Sequence, residues 1–339
     1  MMQIRLAMGA VMLAMLIGCA PAQVPTPAAP TVTAEPQRLT FDDAITLRNA
    51  HLHIAVAPSV GRIVAFGPAD SRNLIWINTI EGNQPFIGRG PPYYVYGGDK
   101  VWTLVQSVWK LAFGGGSWPP DGVIDGQPWD VVESGDHHII LQSRVSPALG
   151  HRVRREIRID PDQPRVVIRN HIIQEQASHF SPMIWCVTQV HPPQFTLMEL
   201  SPQRPTSSRP WTDLSDKPVD TSRIHISDDN RWLRYDYIPD RSQKIGAFGR
   251  WVAGVWEDYI FVQTTDYDPT GAYPDASSLQ VYYDANFLEL ETLSPQVHLR
   301  PGQTLTNTVT WWLLPRAAMT DVQIAAQAEA LVRTSADDR

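Results

Sequence analysis

An all-β domain is what this chain predicts: a large antiparallel sandwich followed by one short C-terminal helix. Three observations carry that expectation. Apolar or β-branched residues alternate with polar ones in short runs, the pattern of half-buried strands. Clusters of Gly, Pro, Asn and Asp separate the runs and supply turns. Helical periodicity is almost absent until the end of the chain. The length of 339 residues, with 43% apolar and 19% charged residues, suits one large packed domain of this class. No internal repeat is visible.

The elements follow in chain order. Arg5 gives a short positive start, and residues 6–17 form an apolar run too short to span a bilayer. It leads into Leu16-Ile17-Gly18-Cys19, which resembles the lipobox of bacterial lipoproteins. That resemblance implies a signal peptide over 1–18 and a lipid on Cys19. It places the protein in a bacterial cell envelope, anchored to the membrane. Ala20, where a retention Asp would stand, points to the outer membrane in a Gram-negative cell. The alternative is a plain secretory signal with an incidental cysteine. Residues 19–38 are rich in Pro, Ala and Thr and read as an extended tether. The folded domain is expected over 39–339.

A short helical turn is expected at 42–47. Strands are expected at 52–56, 62–66, 139–145, 153–159, 166–173, 183–190, 260–265, 279–283, 287–292 and 306–314. Residues 192–220, rich in Pro, Ser and Thr, read as a long loop that puts Arg209, Trp211 and Asp213 on a rim. Thr320 and Gln323 make a capping box, and Ile324, Ala328 and Leu331 a helical stripe ending near Arg333. Cys186 has no partner if Cys19 is lipidated, and reads as a small buried hydrophobe.

Residues 93–130 concentrate the chemistry. This stretch holds Trp102, Trp109, Trp118 and Trp129, two glycine turns, and Asp99, Lys100, Asp121, Asp125 and Asp130. Aromatic rings beside carboxylates suit a sugar, whose C–H face stacks on the ring while its hydroxyls bond the charged groups. The competing reading is a β-rich segment whose tryptophans are core.

Several motifs in order resemble the galactose mutarotase-like super-sandwich. They are residues 49–66 (NAHLHIAVAPSVGRIVAF), then Asn73-Leu74-Ile75-Trp76, then Tyr96-Gly97-Gly98-Asp99-Lys100-Val101-Trp102. Closing motifs are residues 287–291 (FLELE), 299–303 (LRPGQ) and 311–314 (WWLL). GGDKVW with WPPDGVIDG resembles an uncharacterised bacterial branch of that superfamily. The resemblance implies a sugar-holding concave face. For its aldose epimerases it also implies a Glu base and a His acid, because opening the ring takes a proton from the anomeric hydroxyl and gives one to the ring oxygen.

Glu289 and Glu291 fall on one strand face and are candidates for the base, or else for a solvated outer face. The histidines depart from the family pattern. Tyr96 stands where one is expected, and His179 and His191 only flank the other place. Lys100 is the candidate acid or carboxylate clamp. The substrate-binding set expected around these residues is Arg62, Tyr96, Asp99, Trp102, Trp118, Asp121, Asp125 and His179. His51 and His53 share a strand face without a third ligand, so no metal and no cofactor are expected.

The formal charge of −7 and the absence of any Lys/Arg run exclude nucleic acid as the expected partner. Two functions stay open. The first, preferred on the missing histidines, is a tethered carbohydrate-binding protein. The second is a sugar-modifying enzyme, either an aldose epimerase or a glycan hydrolase or lyase.

Overall fold

The alternating runs become strands that pair into two sheets. The computed structural model describes residues 41–69, 72–78, 93–114, 118, 120–202, 209–239 and 241–336. The expected signal, Cys19 and the tether lie outside them. The first strands are β1 (Ile45–Arg48), β2 (Leu52–Ala57), β3 (Arg62–Pro68), β4 (Asp99–Trp102), β5 (Asp130–Gly135), β6 (His138–Gln142), β7 (His151–Ile159), β8 (Arg165–Gln174), β9 (Trp185–Val190) and β10 (Phe195–Glu199). They continue as β11 (Thr212–Asp213), β12 (Ile224–Ile226), β13 (Trp232–Asp236), β14 (Gln243–Ala247), β15 (Trp251–Val255), β16 (Tyr259–Thr265), β17 (Leu279–Tyr283), β18 (Leu288–Leu293) and β19 (Thr304–Pro315).

Among the described residues the first sheet has nine strands in the order β1-β2-β3-β4-β9-β18-β17-β14-β11. The second has ten described strands, in the order β12-β13-β10-β15-β16-β19-β8-β7-β6-β5. Neighbours pair antiparallel, as β9 does with β18 in the register Glu289↔Gln189. The two inner faces make the core. Phe66 of the first sheet meets Phe261 and Trp311 of the second at ring-centroid distances of 4.7 and 5.1 Å. Each such ring, fully buried, contributes about 1.5–3 kcal/mol.

A five-residue helix, α1 (Trp109–Phe113), and a long one, α2 (Asp321–Ala336), complete the described elements. The capping box forms as expected: Gln323 Oε1 accepts from the Thr320 amide at 2.9 Å. Ile324, Ala325, Ala328, Leu331 and Val332 pack against Phe195, Trp251, Val262 and Trp312. The helix therefore packs on part of the outer face of the second sheet, over β10, β15, β16 and β19.

Two expectations change. Residues 42–47 are not helical: a turn at Phe41–Ala44 leads straight into β1, which pairs with β2 as Ile45↔Val56. A neighbouring strand offered a full ladder, and that outweighs a weak local preference. The 192–220 stretch is not wholly loop either, because β10 lies in it, buried along its whole length between β13 and β15. A strand buried on both faces shows no alternation.

Candidate functional site

The site is built on the open face of the first sheet, and strand alternation decides which residues reach it. Along β4, Asp99 faces the second sheet while Lys100 and Trp102 face outward. Cross-strand pairing extends those positions sideways. Trp102 pairs with Trp185, and Lys100 with Val187. Gln189 pairs with Glu289, which pairs with Tyr282, which is followed in turn by Lys244 on β14. Three rows of side chains thus stand on one face.

A cleft of about 560 Å³ opens above these rows. Trp102, Trp118 and Trp185 line one end, Phe287 and Val95 the other, and Gln189, Glu289, Tyr282 and Lys244 lie between. Trp102 and Trp185 meet edge to face at 4.9 Å, and Trp118 stands against Trp102 at 5.8 Å. Phe287 is backed by Trp76 at 4.6 Å.

Glu289 is the buried carboxyl of the floor. It accepts a hydrogen bond from Gln189 Nε2 at 2.9 Å and lies 3.9 Å from Lys100 Nζ. Burial raises its pKa to about 7; the Lys100 charge opposes that rise and Glu291 adds to it. Burial likewise lowers Lys100 to about 8, against the pull of Glu289. Lys100 Nζ has no hydrogen-bond partner among the described residues and sits over the Trp102 ring at 5.0 Å. It lies behind Glu289 rather than lining the cleft.

Glu291 shares the face, as expected, but is sealed. It accepts from Trp185 Nε1 at 2.6 Å and from Lys244 Nζ at 2.9 Å, and is fully buried. A carboxylate held by two donors under a tryptophan positions that ring and the lysine above it.

Several expected binding residues do other work. Arg62 pairs with Asp125 at 2.7 Å and donates to Gly97 O, and Asp125 accepts from Trp102 Nε1 at 2.7 Å. This buried pair stands behind Trp102 and fixes its ring. Asp121 accepts from the amides of Val123 and Ile124 and shapes a turn. Asp99 points into the core, where it binds Arg155 Nη2 and accepts from Thr188 Oγ1 at 2.8 Å. Tyr96 packs in a small satellite core with Ala57, Val60 and Val64. His179 is exposed in the β8–β9 connection and is not among the cleft-lining residues. Of the expected set, Trp102, Trp118 and Glu289 line the cleft, while Lys100 and Glu291 sit directly beneath.

Sequence reasoning missed Trp185, Gln189, Lys244, Tyr282 and Phe287. Trp185 and Gln189 carried a signal, since both fall on one face of the expected 183–190 strand. Lys244 carried none. The arginines make no run in sequence, but strand alternation gathers several of them on one sheet face. Arg152, Arg154 and Arg158 of β7, with Arg165 and Arg169 of β8, share the outer face of the second sheet. Their charge is largely countered: Arg152 pairs with Glu175 at 2.5 Å, Arg154 with Glu156 at 3.5 Å and Arg165 with Asp160 at 2.5 Å.

Residues 43–314 match the family described as a domain of unknown function, DUF4380. The chain belongs to that family. The match runs from just before β1 to the end of β19 and so spans both sheets. No curated protein matches the chain. Among solved structures, it is similar to the Slr1438 protein from Synechocystis, with TM-score 0.52 and 10% identity over 83% of this chain and 98% of that one. It is also similar to a galactose mutarotase-like protein from Lactobacillus casei, with TM-score 0.51 and 9% identity over 80% and 100% of the two chains. A putative aldose 1-epimerase from Klebsiella pneumoniae gives TM-score 0.51 and 9% identity over 83% and 80%. At such identities the likeness carries the fold: this DUF4380 chain is a galactose mutarotase-like β-sandwich with a C-terminal helix.

Proposed function

We propose that the cleft binds a carbohydrate. The observation that carries this reading is the floor itself: a buried carboxyl, Glu289, held by Gln189 and set between tryptophans and Phe287. Aromatic rings cover the apolar face of a pyranose, and the carboxyl and amide take its hydroxyls. Glu289→Gln should weaken sugar binding by roughly 1.5–3 kcal/mol, the worth of one charge-assisted hydrogen bond. Calorimetry of the domain against a panel of free sugars measures this. Equal affinity in wild type and variant would remove Glu289 from the site.

A second reading, catalysis, is favoured by the Glu289 pKa of about 7. A base poised near neutrality suits proton transfer. Glu289 would take the proton from the anomeric hydroxyl, and Lys244, the ammonium that lines the cleft, would give one to the ring oxygen. The C1–O5 bond breaks, the open-chain aldehyde forms, and closure on the other face returns both protons. This is the interconversion that the name of the Klebsiella neighbour denotes. Two-carboxylate glycoside hydrolysis has less support: Glu291 is sealed under Trp185, Asp284 is taken up by the amides of Asn286 and Phe287, and Asp216 is an exposed lining residue. Anomer exchange followed by polarimetry decides between the readings. Catalysis requires rates above buffer that rise through about pH 7 and are lost in Lys244→Met. Removing the Lys100 charge in Lys100→Met would move that limb to higher pH.

We also propose that Cys19 carries a lipid that tethers this domain to a bacterial envelope membrane; the Leu-Ile-Gly-Cys spacing supports it. Cys19→Ala should release the protein from the membrane fraction. A wild-type N-terminus without acyl mass would end this proposal.

A further inference from the structure

We infer that the β17–β18 hairpin is the recognition element of the cleft: a pyranose stacks on Tyr282 and Phe287 while its edge meets Glu289. The inference rests on the carbohydrate reading and adds which residues select the sugar. Exposure decides which rings can stack. Trp102, Trp185 and Trp76 are only 6%, 1% and 9% exposed. Lys244 Nζ also lies over the Trp185 ring, at 4.6 Å. The indole N–H groups of Trp102 and Trp185 are spent on Asp125 and Glu291. These three tryptophans are packing. Tyr282, Phe287 and Trp118 are half-buried and line the cleft.

Two of those three rings belong to the hairpin that carries Glu289. Tyr282 pairs with Glu289 across the ladder, so their side chains stand side by side on the cleft face. Phe287 precedes Glu289 by two residues, just before β18 begins. The Tyr282 and Phe287 rings lie 6.1 Å apart and are inclined at 48°, which makes an open corner. One ring of such a corner covers the C–H face of a pyranose, and the other meets its flank. The corner is formed before any ligand arrives. Trp76 backs Phe287 at 4.6 Å. Asp284 fixes the turn: its Oδ1 accepts from the amides of Asn286 at 2.7 Å and Phe287 at 3.3 Å. Gln189 Nε2 holds the Glu289 carboxyl at 2.9 Å. Rings and a carboxyl already in place lose little freedom on binding. Trp118 has no such link to Glu289: it packs edge to face on Tyr93 and Trp102. The ligand class is a pyranose with an unbroken C–H face beside a hydroxyl-bearing edge.

The test is calorimetry of the folded domain with glucose, galactose, mannose and N-acetylglucosamine, repeated on variants with each sugar that binds. Tyr282→Ala and Phe287→Ala should each weaken binding about tenfold, with the fold checked by circular dichroism. Tyr282→Phe, which keeps the ring, should recover most of the loss seen in Tyr282→Ala. Wild-type affinity in both folded alanine variants would overturn the inference and leave the carbohydrate reading standing. A larger loss in Trp118→Ala than in either hairpin variant would move the stacking face to Trp118 and overturn it too. A second measurement needs no alanine variant. The sugar should perturb the tyrosine absorption of the wild-type domain, and that difference signal should disappear in Tyr282→Phe. A ligand-induced change confined to tryptophan absorption would overturn the inference. Absence of binding by every one of these sugars would overturn both the inference and the carbohydrate reading.

Discussion

Glu289 and Glu291 differ by two positions in sequence and by role in the fold. The alternation that placed both on one face was legible in residues 287–292. Their separation into an open carboxyl and a sealed one was not, because it depends on Trp185 from β9 and Lys244 from β14. Burial is the main cause of the raised Glu289 pKa, with Glu291 a smaller one. This has a consequence for stability against pH. The folded state keeps the Glu289 proton up to about 7, while the unfolded chain gives it up near 4.5, so stability falls as pH rises through that window. Lys100 acts in the opposite direction. It loses its proton in the folded state at about 8 but near 10.5 when unfolded, so stability recovers as pH rises from 8 to 10.5. The dip between the two windows should be on the order of 1–3 kcal/mol in urea unfolding. It should flatten in the double variant Lys100→Met with Glu289→Gln. A wild-type curve that rises from pH 5 to 7 would contradict the buried pair.

At the scale of elements, β4 is the hinge of the site. Asp99, Lys100, Val101 and Trp102 lie between β3 and β9, and a single strand sends one residue to each purpose in turn. Its entry depends on two glycines. Gly97 and Gly98 have φ of +83° and +80°, and a Cβ at Gly98 would stand 2.8 Å from the Ile63 carbonyl. Gly98→Ala should therefore cost more than about 1 kcal/mol, read as a lower urea midpoint at constant slope. It should also weaken ligand binding, since Lys100 and Trp102 follow directly. Unchanged stability would mean that the turn tolerates a side chain. The glycine pair was visible in the sequence as a turn. That a central strand begins right after it was not, because Asp99–Trp102 is short, carries two charges and is buried along its whole length.

At the scale of the whole molecule, a polar layer ties the sheets together beneath the cleft. Asp99 of β4 binds Arg155 of β7 and Thr188 of β9, Thr188 Oγ1 accepts from Gln263 of β16 at 2.8 Å, and Arg155 Nε donates to Asn170 of β8 at 2.9 Å. Asp99 and Arg155 are each 1% exposed, so neither charge can turn to water. Arg155→Met would leave Asp99 buried and unpaired, at a cost of about 3–5 kcal/mol. Adding Asp99→Asn should restore much of that loss. A single variant as stable as wild type would show that the layer contributes little.

Sequence alone determined the fold class, most strands, the C-terminal helix and its cap, and the shared face of the two glutamates. Those features are local: a period of two or of 3.6 residues, a turn residue, a capping pair. Only the tertiary structure decided which charged residues meet a ligand. Asp99, Asp121 and Asp125 sit in the same stretch as Trp102 and looked equally available. Asp99 faces the core by alternation, Asp121 shapes a turn, and Asp125 is consumed by Arg62 and the Trp102 indole. Lys244 enters the site from β14, and Phe287 from the residue before β18. A buried charge takes whichever partner the packing brings within reach, and that partner is set by strand order across a sheet, which neighbours in sequence do not record.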